Sequence, residues 1–206
     1  MMIILESRKK TLLRHLLPLV AETGWTQDNL KKACQNAHES FTELFSITTK
    51  PLDDMITVYS HALDEEMLHI NQEETFALLR IRDKIPELMV ARLQAMDPFK
   101  KAAYKTLIYL SLPQNFLLAQ RLKWKTLNDI WYGAGDRATD YNYYTKRLLL
   151  SGIYTTTLLY WFNDHTSDFL ATRSFLNRRI DTVMNLYKFK ARCKQIFPLF
   201  HGKKSV

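Results

Sequence analysis

Apolar residues recur at helical spacing along almost the whole chain. The first stripe, Leu12, Leu13, Leu16, Leu17 and Val20, predicts a helix over 4–23 that Gly24 stops. After Trp25, shorter patterns predict helices over 27–36 and 39–46, and longer ones over 51–72, 74–96, 98–111, 113–133, 138–163 and 168–192. Pro51, Pro98 and Pro113 stand where first turns should begin, positions that tolerate a missing N–H. Asp97 is placed to cap the helix after it. No alternation of period two persists and no hairpin dipeptide interrupts the pattern. The expected fold class is all-α, with about nine to ten helices.

Two segments stand apart from this pattern. Residues 148–162, LLLSGIYTTTLLYWF, are apolar on nearly every side, which predicts a buried helix. Its small members Ser151, Gly152 and the threonine run leave room for a neighbouring helix or for an isoprenoid or acyl chain. From 186 onward the chain carries six basic residues and no acid. Leu186, Phe189, Cys193, Ile196 and Phe197 gather on one side of a helical wheel, and Lys188, Lys190, Arg192 and Lys194 flank them. Phe200 extends the apolar side past Pro198. Such a helix lies in an anionic lipid interface, or else docks its phenylalanines on its own core. The organisation read from these patterns is a helix-turn-helix-like unit at 1–48, a helical domain at 49–185 and a basic amphipathic tail at 186–206.

Charge narrows the partners. The 206 residues carry a net charge of +8 and a pI near 9.4, which fits an anionic partner, nucleic acid or phospholipid. Cys34 and Cys193 form no framework, so a reducing compartment is expected. No apolar run reaches the roughly 20 residues of a membrane span. The opening MMIIL is too short for a signal core and runs straight into charged residues, as in a cytoplasmic bacterial protein or an already processed one.

Little points to catalysis. Glu66 and His69 have the E-x-x-H spacing of a di-iron bundle, but a single copy in so acidic a segment reads as a solvated helix face. The other histidines lack metal-ligand spacing, and no phosphate-binding or nucleophile motif occurs. No enzyme activity, metal or cofactor is expected. The opening resembles the three-helix unit of TetR-type regulators, with LKKACQNAHESFTELFS as the helix-turn-helix. Residues 38–46 supply two glutamates and no lysine or arginine, and Gln35-Asn36 replaces the turn glycine, so DNA reading is argued against.

The segment GDRATDYNYYTKR at 135–147 mixes acids, bases and tyrosines beside the apolar run. With Ala134, Gly135, Asp136, Thr139, Asp140, Asn142, Tyr144, Thr145 and Arg147, then Tyr154 and Thr157, then Asp164, Asp168, Phe169, Thr172, Phe175, Leu176 and Arg178, the chain resembles the Coq-nine family of ubiquinone-biosynthesis proteins. Tyr143 and Arg173 stand where that family usually has tryptophan, and Ala138 and Thr166 where it usually has serine. The resemblance implies a TetR-like, dimeric, lipid-binding protein that catalyses nothing itself. It would present an isoprenoid quinone intermediate, or bind a phospholipid, beside a di-iron demethoxyubiquinone hydroxylase. It would sit peripherally on a bacterial inner membrane from the cytoplasm, or on the matrix face in a mitochondrion.

Asp140, Tyr143, Tyr144 and Arg147 fall at i, i+3, i+4 and i+7, on one helix face. They form either the partner contact or an internal Asp140–Arg147 network. Leu149, Ile153, Thr156 and Tyr160 fall roughly opposite, toward lipid or core. Lys188, Phe189, Arg192, Lys194, Ile196, Phe197 and Phe200 are the expected membrane contacts. The alternative function is a lipid-sensing transcriptional regulator of TetR type.

Overall fold

The computed structural model describes residues 2–136 and 142–196, with side chains over 5–136 and 143–183. Among the described residues the elements are helices and 3-10 turns without strands, as the periodicity predicts. The chain divides into two compact units, Met1–Arg147 and Leu148–Val206.

In the first unit, α1 (Met2–Thr23) lies against α2 (Gln27–Asn36), α4 (Pro51–Leu68) and α7 (Lys100–Ser111). Leu12, Leu16 and Val20 are the fully buried part of its stripe. Gly24 ends it with φ +88°, a left-handed conformation that costs glycine little. Trp25 then reaches α7, its indole N–H donating to the Thr106 hydroxyl at 2.9 Å. Thr26 caps α2 through the Asn29 amide at 3.1 Å.

α3 is a single turn, Phe41–Leu44, shorter than the stretch predicted at 39–46. The turn before it needs a left-handed residue, and His38 supplies it with φ 54° in place of a glycine. Ser40 then caps from an extended backbone, so the helix cannot begin earlier. Arg8 on α1 pairs with Glu39, and with Glu43 at 3.4 Å.

The pattern over 74–96 is two helices, α5 (Glu74–Ala77) and α6 (Ile81–Met96). Phe76 and Ile85 are both buried. Nine residues apart in one helix, about 2.5 turns, they would face opposite sides. The break at Leu78–Arg80 lets both reach the core. Two other predicted helices open in tighter form, with 3-10 turns at Asp97–Phe99 and Pro113–Asn115, and Asp97 makes no side-chain cap bond.

α4, α6 and α8 (Phe116–Gly133) pack on one another around a closed polar cluster. Asp64, fully buried, accepts from Arg92 Nε at 2.8 Å and from the Thr126 hydroxyl at 3.0 Å. Lys125 approaches its other oxygen at 3.5 Å, and Arg92 donates to Ser60 at 3.3 Å.

α9 (Asn142–Phe162) starts in the first unit and continues into the second, where a 3-10 turn (Ser167–Phe169) leads to α10 (Leu170–Ile196). The exposed members of α9 correct the expectation of a fully buried 148–162. Leu150, Ile153, Tyr154, Thr157 and Trp161 are buried, whereas Leu148 is 71% and Leu159 49% exposed. α10 stays helical through 186, where the tail was drawn.

Candidate functional site

The segment that carries the resemblance opens as a helix stop. Gly133 ends α8 where a Cβ would come within 2.8 Å of Leu68 Cδ2 and 3.3 Å of Leu88 Cδ1. Gly135 follows at φ +93°, its N–H donating to Tyr132 O at 3.0 Å while Asp136 N–H donates to Trp131 O at 3.0 Å. This is a Schellman stop, in which the left-handed residue satisfies the last carbonyls. The Asp136 carboxylate holds Lys146 of α9 at 2.9 Å, and Lys146 lies 5.5 Å from the Trp131 ring centroid.

Arg147 is 1% exposed. Its guanidinium lies 3.3 Å from the Tyr143 ring centroid, donates to Tyr143 O at 3.1 Å, and bonds the Asn128 carbonyl on α8 through Nε. The Tyr143 hydroxyl donates to the same Asn128 oxygen at 3.1 Å. Arg147 therefore offers nothing to a partner. It positions Tyr143, because a fully donating guanidinium packs on a ring and fills two acceptors at once.

Tyr144, beside Tyr143, is 68% exposed. Its ring stacks on Trp124 of α8 at 6.2 Å and 28°, and meets Tyr143 edge-on at 5.1 Å. The expected four-residue face is thus a buried frame of Arg147 and part of Tyr143 beneath an exposed surface of Tyr144 and Trp124. Asp140 lies outside the described residues. Sequence reasoning missed Trp124 and Asn128. Their i, i+4 spacing, continued to Trp131 at i+7, was the available signal.

The expected lipid face divides as well. Ile153 is buried and Leu149 half-buried, but Thr156 is exposed, its hydroxyl returned to Gly152 O at 2.9 Å. Tyr160 lies flat on Phe175 of α10, centroids 4.4 Å apart and planes 9° from parallel. Beyond it, Asp164 accepts from the backbone N–H and hydroxyl of both Thr166 and Thr172. Burial pushes its carboxyl up, but those hydrogen bonds outweigh it and hold it well below the usual carboxylate range. Of the expected membrane residues, Lys188, Phe189, Arg192, Lys194 and Ile196 lie on the described backbone of α10; Phe197 and Phe200 lie outside the described residues. Among the described residues no helix is long and apolar enough to cross a membrane.

The helical frame of the described residues, opening on α1, α2 and the single turn α3, is a TetR-like fold. A solved TetR transcriptional regulator from Nitrosomonas europaea shares this fold at TM-score 0.69 and 20% identity, covering 84% of this chain and 96% of that one. The COQ9 family model matches residues 117–187, from α8 into α10. A mitochondrial ubiquinone biosynthesis protein COQ9 from Rattus norvegicus is 30% identical over 192 residues, 88% of this chain and 60% of that protein. The Homo sapiens protein of the same name is 29% identical, over 88% of this chain and 59% of its own length. A probable coq9 protein from Dictyostelium discoideum is 26% identical, over 88% and 61%. The similarity to COQ9 proteins thus runs along 88% of the chain, with the family model matching within its second half, from α8 into α10. The chain spans about 60% of the length of the curated relatives it matches.

Proposed function

We propose that this protein is a non-enzymatic accessory of ubiquinone biosynthesis, which binds an isoprenoid quinone or phospholipid and presents the quinone intermediate to a di-iron demethoxyubiquinone hydroxylase. The observation that carries the reading is the exposed Trp124–Tyr144 surface, built on the same residues through which the chain is similar to COQ9. Large amphipathic rings held rigid by a buried frame are typical anchors of protein interfaces. The protein works as a homodimer at a membrane surface, with the basic end of α10 as its lipid contact, in the mitochondrial matrix or its bacterial equivalent. DNA has no part in this reading: α3 is one turn long, and both Glu43 on it and Glu39 just before it engage Arg8.

The frame dictates the variant to use. Tyr143 is tied to Asn128 and Arg147, so its removal disturbs the fold. Tyr144→Ala removes an exposed ring and its contacts with the Trp124 and Tyr143 rings, and leaves the Arg147–Asn128 frame in place. It is expected to weaken hydroxylase co-purification at least about tenfold, as loss of an interface anchor does, with an unchanged melting temperature. Undiminished co-purification would refute the contact. Native mass spectrometry of the protein extracted with its lipids is expected to show two chains and an isoprenoid or phospholipid mass; ligand-free protein would refute the carrier role.

A further inference from the structure

The chain between Asp97 and Asp129 contains six lysines and arginines and no acid. It includes the corner where α7 turns into α8, and that corner exposes apolar side chains in succession. Ile108 and Leu112 are 44% and 40% exposed, Phe116 is 58% and Leu117 80%. Isolated exposed apolar residues are ordinary, but four within one turn region are not. Along α7 the same exposed side runs back through Tyr104 to Lys101. Along α8 it runs on through Arg121, one turn after Leu117.

A cleft of about 480 Å³ opens beside Leu117, lined also by Thr48, Lys50 and Arg121. Two acids enter it, and both are engaged: Asp53 accepts from the Tyr109 hydroxyl at 2.8 Å, and Asp54 holds Lys9. Lys50 stands 3.7 Å from Asp53 yet remains largely exposed, and Arg121 has no ion-pair partner among the described residues. An apolar corner rimmed by cations thus sits next to a cleft whose carboxylates are already paired.

We propose that this α7–α8 corner is a second membrane contact, in which Phe116 and Leu117 enter an anionic bilayer while Lys50, Arg121 and Lys101 meet lipid phosphates. Charge and apolar area act together there, because aliphatic and aromatic side chains gain from the acyl boundary while basic side chains meet the headgroups. A nucleic acid would use the same cations but gain nothing from exposed Ile108, Leu112 and Leu117. The inference deepens the membrane-surface reading above and shares its premise of an anionic bilayer, but it rests on different residues from those in α10.

The test places an environment-sensitive nitrobenzoxadiazole label at Leu117→Cys in the full chain carrying Cys193→Ser, with Glu66→Cys as an exposed control. Vesicles of phosphatidylcholine with added phosphatidylglycerol are expected to shift the Leu117 label to the blue and brighten it, leaving the control unchanged. Vesicles of phosphatidylcholine alone are expected to do neither. Phe116→Glu with Leu117→Glu is expected to weaken binding to the anionic vesicles about tenfold, since it removes apolar insertion and adds repulsion. If the protein floats with the vesicles but the Leu117 label does not respond, this contact is overturned and the α10 reading stands. If the protein does not float at all, both are overturned. A response at Leu117 to duplex DNA but not to vesicles overturns the lipid assignment in favour of nucleic acid.

Discussion

Replacing Asp64 with alanine is expected to destabilise the first unit by about 3–5 kcal/mol, as removal of one partner from a buried ion pair does. Asp64 is fully buried and Arg92 nearly so, and the pair lies where α4, α6 and α8 meet. Without the carboxylate, the Arg92 guanidinium keeps its charge, nearly buried, but loses the acceptor on its Nε. Thr126 loses its acceptor and Lys125 an attractive neighbour. The size of the effect comes from a buried charge deprived of this carboxylate more than from the net worth of the pair. A double variant, Asp64→Leu with Arg92→Met, is therefore expected to recover most of the loss, because well-packed apolar replacements of buried pairs are near neutral. Urea unfolding of the three proteins checks this. A midpoint for Asp64→Ala within error of the parent would show that the cluster is not buried in solution.

That cluster marks the limit of what the sequence discloses. Asp64 sits in DEEMLHINQEE, where every neighbouring acid reads as solvent-facing, and Glu65 and Glu66 are indeed exposed. Only the positions of Arg92 and Thr126, 28 and 62 residues away, turn Asp64 inward. Periodicity found the helices because each stripe is a local property, but it could not find the break at Leu78–Arg80. That break exists to bring two distant apolar residues to one core, which is a tertiary demand. The same holds for the candidate site. Helical spacing placed Tyr143, Tyr144 and Arg147 together, yet it could not say that Asn128 on the neighbouring helix would draw Arg147 inward and leave Tyr144 outside. Much of the motif that carries the family resemblance is frame: Gly135 stops a helix, Asp136 holds Lys146, and Asp164 organises the start of the next helix. The exposed residues that would meet a partner are few among them.

Asp164→Ala is expected to cost about 3 kcal/mol of local stability at neutral pH, since hydrogen bonds to a charged group contribute roughly 1.5–3 kcal/mol each and neighbouring ones do not add fully. The carboxylate takes the amide of Thr166 at 2.8 Å and that of Thr172 at 2.8 Å, with both hydroxyls. Between these threonines the backbone passes through Asp168 and Phe169 at φ 52° and 56°. Consecutive left-handed residues without glycine are costly and persist only where their surroundings impose them; Asp164 fixes the chain on both sides of them. Because its folded pKa is depressed, its contribution is fully present above the unfolded value near 3.9 and disappears as pH falls through the folded one. Amide exchange at Thr166 and Thr172 should therefore accelerate in Asp164→Ala at pH 7, and the difference from the parent should shrink as the pH is taken below about 4. Asp164→Asn is expected to fall between the two, keeping one acceptor oxygen but turning an amide donor toward the second set of N–H and O–H groups. Asp168→Gly should stabilise the same turn by about 1 kcal/mol, because glycine adopts positive φ without the steric cost. Equal exchange protection in the parent and Asp164→Ala, or destabilisation by Asp168→Gly, would mean that the turn is held by something other than this carboxylate.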